Sequence, residues 1–154
     1  MADGKIRTAV CGIGNTRYGD EGIGSVIARE LASEMIDKNV KVIDCGANPR
    51  AQTENILRFG PRRIIIVSAI DLGKPPGSVE TIEPEKLNKL LASTHNVGID
   101  LFIDFLKNAL EAEVSFIAIQ PKTAALGSGM SSECRIAVFM AKEAVKSELK
   151  SPRR

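Results

Sequence analysis

The residues of this chain that could do chemistry fall in a few short segments. The first is Gly12–Gly24, which reads GIGNTRYGDEGIG. A glycine turn after an apolar strand suggests a phosphate cradle, but Gly12-x-Gly14 is followed by Asn15, Thr16 and Arg17. The third glycine of a dinucleotide fingerprint is therefore absent, and Arg17 in its place would obstruct close helix–strand packing. No Gly-Lys-Ser/Thr follows, so the P-loop pattern fails as well. The turn instead carries two acids, Asp20 and Glu21, just ahead of a helix expected from near Gly22. Acids at a helix start complement the macrodipole, and Asp is a good N-cap. An acid at the carboxyl edge of an open α/β sheet also repels phosphate and attracts a cation, so the loop suits a metal or a cationic group better than a nucleotide.

Further polar residues are expected on the same edge. Asp44 and Gly46 close a second strand, and Ser68 and Asp71 a third. The single histidine, His95, lies in STHNVGID at the junction into a helix. It could be an ordinary polar packing residue, or it could join a carboxylate in a borderline site suited to zinc or nickel. Nucleophilic catalysis has little support. There is no G-x-S-x-G, Cys11 and Cys45 end apolar strands, and Cys134 sits inside the last helix.

The elements that position these residues follow from periodicity. IRTAVC (Ile6–Cys11), VKVIDCG and RRIIIVSAID read as strands, the last with four consecutive β-branched residues as expected of a strand buried on both faces. The stretch from Gly22 has apolar residues at helical spacing, with Asn39 as a stop. A second helix is expected from near Pro49 to Gly60–Pro61. SVETI reads as a short edge strand, EPEKLNKLLAS and THNVGIDLFIDFLKNAL as helices, EVSFIAIQP as a strand, and SECRIAVFMAKEAVKSEL as a helix capped near Ser131 or Ser132. This alternation predicts an α/β fold, a three-layer α/β/α sandwich around a mostly parallel, twisted sheet.

The 154 residues fit one domain, 1–154, with no internal repeat. The net charge is +2 with scattered basic residues, and one Tyr, no Trp and five Phe supply no stacking platform. No nucleic-acid partner is expected. Three cysteines without C-x-x-C spacing suggest neither a disulfide framework nor a zinc knuckle. No apolar run approaches the roughly 18 residues of a membrane span, and the N-terminus lacks a signal-peptide core. A cytoplasmic protein without membrane association, monomeric in its simplest form, is expected.

Several segments together resemble the [NiFe]-hydrogenase maturation endopeptidases, most closely the formate-hydrogenlyase branch. They are GIGNTRYGDEGIG, VKVIDCGANP, RRIIIVSAIDLGKPPGSV, STHN, FIDFLK and VSFIAIQP, in order over roughly residues 6–121. The resemblance implies a five-stranded sheet and removal of a C-terminal extension from a nickel-loaded [NiFe]-hydrogenase large-subunit precursor. It implies nickel recognition at the rim by Glu21 and His95, the nickel belonging to the substrate rather than being permanently bound. The family's middle ligand, an aspartate, is replaced here by Ser68. Asp71 could substitute, the site could hold nickel weakly with two residues, or activity could be lost. The family's glycine-rich turn after the second strand becomes DCGANP, so Gly46 is either a turn requirement or a backbone surface for the substrate peptide. The resemblance supplies no recognised nucleophile. Asp20 and Asp71 are the candidate general bases. Two competing readings are a checkpoint or chaperone that binds the nickel-loaded subunit without cutting it, and a nucleotide-binding α/β domain.

Overall fold

The computed structural model describes residues 6–35, 37–94 and 97–151, without the side chains of 93–97. Five strands form one sheet: β1 (Thr8–Ile13), β2 (Val40–Gly46), β3 (Arg63–Ala69), β4 (Val79–Ile82) and β5 (Glu113–Ile119), in the order β2-β1-β3-β5-β4. The pairs β1–β2, β1–β3 and β3–β5 are parallel, and β4 runs antiparallel along β5. The helices are α1 (Ile23–Glu34), α2 (Thr53–Phe59), α3 (Pro84–Thr94), α4 (Val97–Leu110) and α5 (Ser132–Lys150). Short 3₁₀ turns, Gly19–Gly22 and Pro49–Gln52, lead into α1 and α2.

Alternation along each strand divides the core into two layers. Ile64 and Ile66 of β3 pack with Ile56, Leu87, Leu91, Phe102, Ile103 and Leu106 from α2, α3 and α4. Ile65 and Val67 face Ile23, Ile27, Leu31, Ala137, Ala141 and Val145 from α1 and α5. The expected three-layer sandwich is therefore present, and every residue of β3 is buried.

Two of the boundaries that differ from expectation bear on the site. β1 continues two residues beyond Cys11, and Gly12 pairs with Asp44 on one side and Val67 on the other. Gly12 is thus a strand residue, and the absence of a side chain there serves packing. A Cβ on Gly12 would stand 2.1 Å from the Gly24 carbonyl oxygen, and one on Gly24 would stand 2.2 Å from that of Ile13 and 2.4 Å from that of Val67. The first turn of α1 consequently lies with its backbone directly on β1 and β3. α1 also ends at Glu34, ahead of the predicted stop at Asn39, with Met35 already extended. Asp37 accounts for the next turn: its side chain accepts from Asn39 N (2.8 Å) and its carbonyl from Val40 N (3.1 Å), local bonds that compete with helix.

Two helix termini match their sequence signals. Gly60 closes α2 in the left-handed region at φ +67°, and its N–H bonds the Ile56 carbonyl. Ser131 caps α5 by accepting from Cys134 N. The three cysteines are free and buried.

Candidate active site

Parallel strands place their carboxyl ends on one rim, and ligands in such sheets sit where the crossover direction changes. Here β1 is central between β2 and β3. At that rim lies a cavity of about 410 Å³, lined by Ile13, Gly14 and Asn15 after β1, Glu21, residues 47–50 after β2, Ser68 and Ala69 at the end of β3, and Gly98 and Ile99 of α4.

Among the described residues of this lining, Glu21 is the one carboxylate. It is half-buried at the end of the turn, whose backbone is fixed by Glu21 N to Tyr18 O (3.0 Å) and Asn15 N to Glu21 O (3.0 Å). Its carboxylate has no hydrogen-bond or ion-pair partner among the described residues. Burial raises its pKa above the usual carboxylate range, and the neighbouring Asp20 charge raises it further. The result is a carboxylate that a cation would stabilise.

Asp20, the adjacent acid, is arranged in the opposite way. It is 0% exposed. Its Oδ2 accepts from Lys122 N (2.8 Å), Thr123 N (3.1 Å) and Ser131 Oγ (2.8 Å), and its Oδ1 from Ser131 N (2.7 Å). Burial works to raise its pKa, but the hydrogen bonds from Ser131, Lys122 and Thr123 prevail and hold it below the ordinary value. Asp20 does not cap α1: the residue at that position is Gly22, and no side chain bonds the helix start. It instead ties the first loop to the loop after β5 and to the start of α5.

The other rim residues divide similarly. Ser68 is buried and lines the cavity, with its hydroxyl making only a long contact to the Ala69 carbonyl (3.5 Å). Asp71 is exposed and is not part of the lining. It is lowered in pKa by Gly73 N and the Gln120 amide, which both donate to its Oδ1 (3.0 and 3.2 Å). Asp44 is occupied by Ser25 Oγ, Arg29 Nε (2.7 Å) and Gly46 N (3.0 Å). Gly46 adopts φ +56°, and nothing lies within 4 Å of where its Cβ would be. Its carbonyl accepts from Gly14 N (2.9 Å). The glycine therefore meets a backbone requirement, and residues 47–50 that follow it form the cavity wall.

His95 lies outside the described residues. Among the described residues no group of three His, Cys, Asp or Glu side chains converges as a metal site. The cavity thus joins Glu21 and Ser68 and leaves out Asp71. Sequence reasoning missed the wall formed by Ala47, Asn48, Pro49 and Arg50, for which only the Asn-Pro turn signal was available.

The model of the HycI hydrogenase maturation protease family matches residues 26–148. That range takes in most of α5, a helix in which the sequence shows no motif. The hydrogenase 3 maturation protease of Escherichia coli K12 is 36% identical over 110 residues, covering 71% of this chain and 69% of that one. The crystal structure of the [NiFe] hydrogenase maturation protease HycI from Thermococcus kodakarensis superposes with a TM-score of 0.83 at 26% identity, covering 96% of this chain and 95% of that one. The solution structure of the endopeptidase HycI from Escherichia coli gives 0.79 at 29% identity, covering 92% and 90%. The extent of these matches and the shared sheet lead to one conclusion: this chain belongs to the hydrogenase maturation protease family.

Proposed function

We propose that this protein is the endopeptidase that removes the C-terminal extension of a nickel-loaded [NiFe]-hydrogenase large-subunit precursor, and that Glu21 reads the nickel. The observation that carries this reading is the half-buried Glu21 carboxylate in a rim cavity, without a partner among the described residues. A cation held by the substrate satisfies that carboxylate on docking. His95 is the second reader. In the sequence it precedes Gly98 of the cavity wall by three residues.

Ser68 supplies a neutral hydroxyl where the family motif has a carboxylate, so the chain's own affinity for free nickel is low. This suits a nickel carried in by the substrate. The metal provides Lewis acidity, polarising the scissile carbonyl or activating a water, while the protein provides position. This reading assigns the general-base role to neither Asp20 nor Asp71. Asp20 is saturated by the loop after β5, and Asp71 stands outside the cavity. Gly46 acts by setting the direction of residues 47–50. The protein acts in the cytoplasm, as a monomer.

The test is cleavage of the purified precursor with and without nickel. Cleavage of the loaded form alone is expected, and equal cleavage of both forms refutes nickel reading. Ser68 favours a second reading, a checkpoint that binds the loaded precursor without cutting it. Stable binding of loaded precursor with no truncated product would establish that alternative.

A further inference from the structure

Arg50 at the edge of the rim cavity has open space on its far side as well. A second cavity, of about 320 Å³, is lined by Arg50, Thr53, Leu101, Phe102 and Phe105. Arg50 is common to both. Leu101 is 62% exposed and Phe105 49%, one turn apart on a helix whose other face holds Phe102, Ile103 and Leu106 in the core. The guanidinium of Arg50 has no ion-pair or hydrogen-bond partner among the described residues. An unmatched cation and an apolar strip therefore continue directly from the place where a peptide bond would be cut.

We propose that this second cavity is a subsite for the precursor's own polypeptide next to the scissile bond, resting on the endopeptidase reading above. An acidic group of that segment pairs with Arg50, and an apolar side chain covers Leu101 and Phe105. The dimensions set the register. Gly98 lines the first cavity and Phe105 the second, seven residues apart on α4, or about 10 Å along the helix axis. An extended peptide crosses that distance in about three residues. The acidic and apolar recognition elements thus lie within about three residues of the cut. Adjacency to the rim cavity through Arg50, and the charge of that residue, select this occupant over a second copy of the chain.

The experiment measures cleavage of full-length nickel-loaded precursor by wild type, Arg50→Glu and Phe105→Asp, with Phe139→Asp on α5 of the opposite layer as control. Both substituted side chains are at the surface, and thermal unfolding checks that each variant is folded. The expected result is a KM raised tenfold or more in both groove variants, with a smaller change in kcat and little change in the control. A KM within twofold of wild type in both variants overturns the subsite. If the wild type does not cut, the endopeptidase reading fails, and equilibrium binding of the same precursor decides the subsite separately. A tenfold loss of affinity in the groove variants sustains it, and equal affinity or no binding by any form overturns it. Sedimentation that shows a wild-type dimer broken by Phe105→Asp assigns the groove to a second copy and also overturns it.

Discussion

Asp20→Asn tests the assignment of this acid to architecture. In the native protein its Oδ2 accepts three hydrogen bonds and its Oδ1 one. The amide replaces one oxygen with a donor. The better orientation keeps the oxygen at the Oδ2 position, facing Lys122 N, Thr123 N and Ser131 Oγ. The new NH₂ then meets the Ser131 N–H, two donors facing each other where the bond measured 2.7 Å. Three charge-assisted bonds become neutral ones at about 1 kcal/mol each, and one buried donor is orphaned at about 1–3 kcal/mol. Allowing for relaxation, the expected loss is about 3–5 kcal/mol, a large share of the roughly 5–15 kcal/mol available to a domain. Urea denaturation at pH 7 measures it. The pH dependence is a second check. The native carboxyl lies below its ordinary value, so its stabilisation is fully present above the unfolded pKa of about 3.9 and disappears as pH falls through the native one. Wild type and variant should therefore converge in acid. A loss below about 1 kcal/mol at pH 7, or a difference that does not depend on pH, would refute the argument.

Three further outcomes are expected. Glu21→Gln should abolish cleavage of the loaded precursor without lowering the melting temperature, because it removes a carboxylate that burial and Asp20 both disfavour; a destabilised variant would contradict this. Ser68→Asp, which places a carboxylate in the same cavity, should tighten binding of free nickel about tenfold or more by calorimetry, since each 1.4 kcal/mol of added interaction is a factor of ten; unchanged affinity would mean that this position is not a ligand site. The buried hydroxyl of Ser115 in β5 has no hydrogen-bond partner among the described residues, so Ser115→Ala should stabilise the fold by about 1 kcal/mol, read as a higher urea midpoint.

The sequence made visible those features whose causes are local. The β-branched run of β3, the apolar spacing of the helices, Gly60 as a helix stop and Ser131 as a cap depend on neighbours a few residues away, and the structure has them where expected. The place of Glu21 in the rim cavity also follows from a local fact, an acid in a turn at the carboxyl edge of a sheet. The division of labour between Asp20 and Glu21 could not be read, because the partners of Asp20 lie 102 to 111 residues further along the chain. Adjacent acids with the same apparent setting are separated only by tertiary structure. Asp71 is similar: its engagement by Gln120 joins groups 49 residues apart. Local reasoning failed in one case where a competing local bond decided the result, the Asp37 turn that follows the end of α1.

The glycine pair that seats α1 on the sheet affects how the site accepts its substrate. Between Gly12 and Gly24, main chain rests on main chain, with no rotamer to adjust and no atom to spare. The jaw that carries Glu21 is therefore stiff, fastened to the central strands below and by Asp20 at its side. On engaging a bulky folded precursor, the part left to yield is the opposing wall, residues 47–50. On the function proposed above, the gauge that senses the metal stays fixed while the clamp around the peptide adapts.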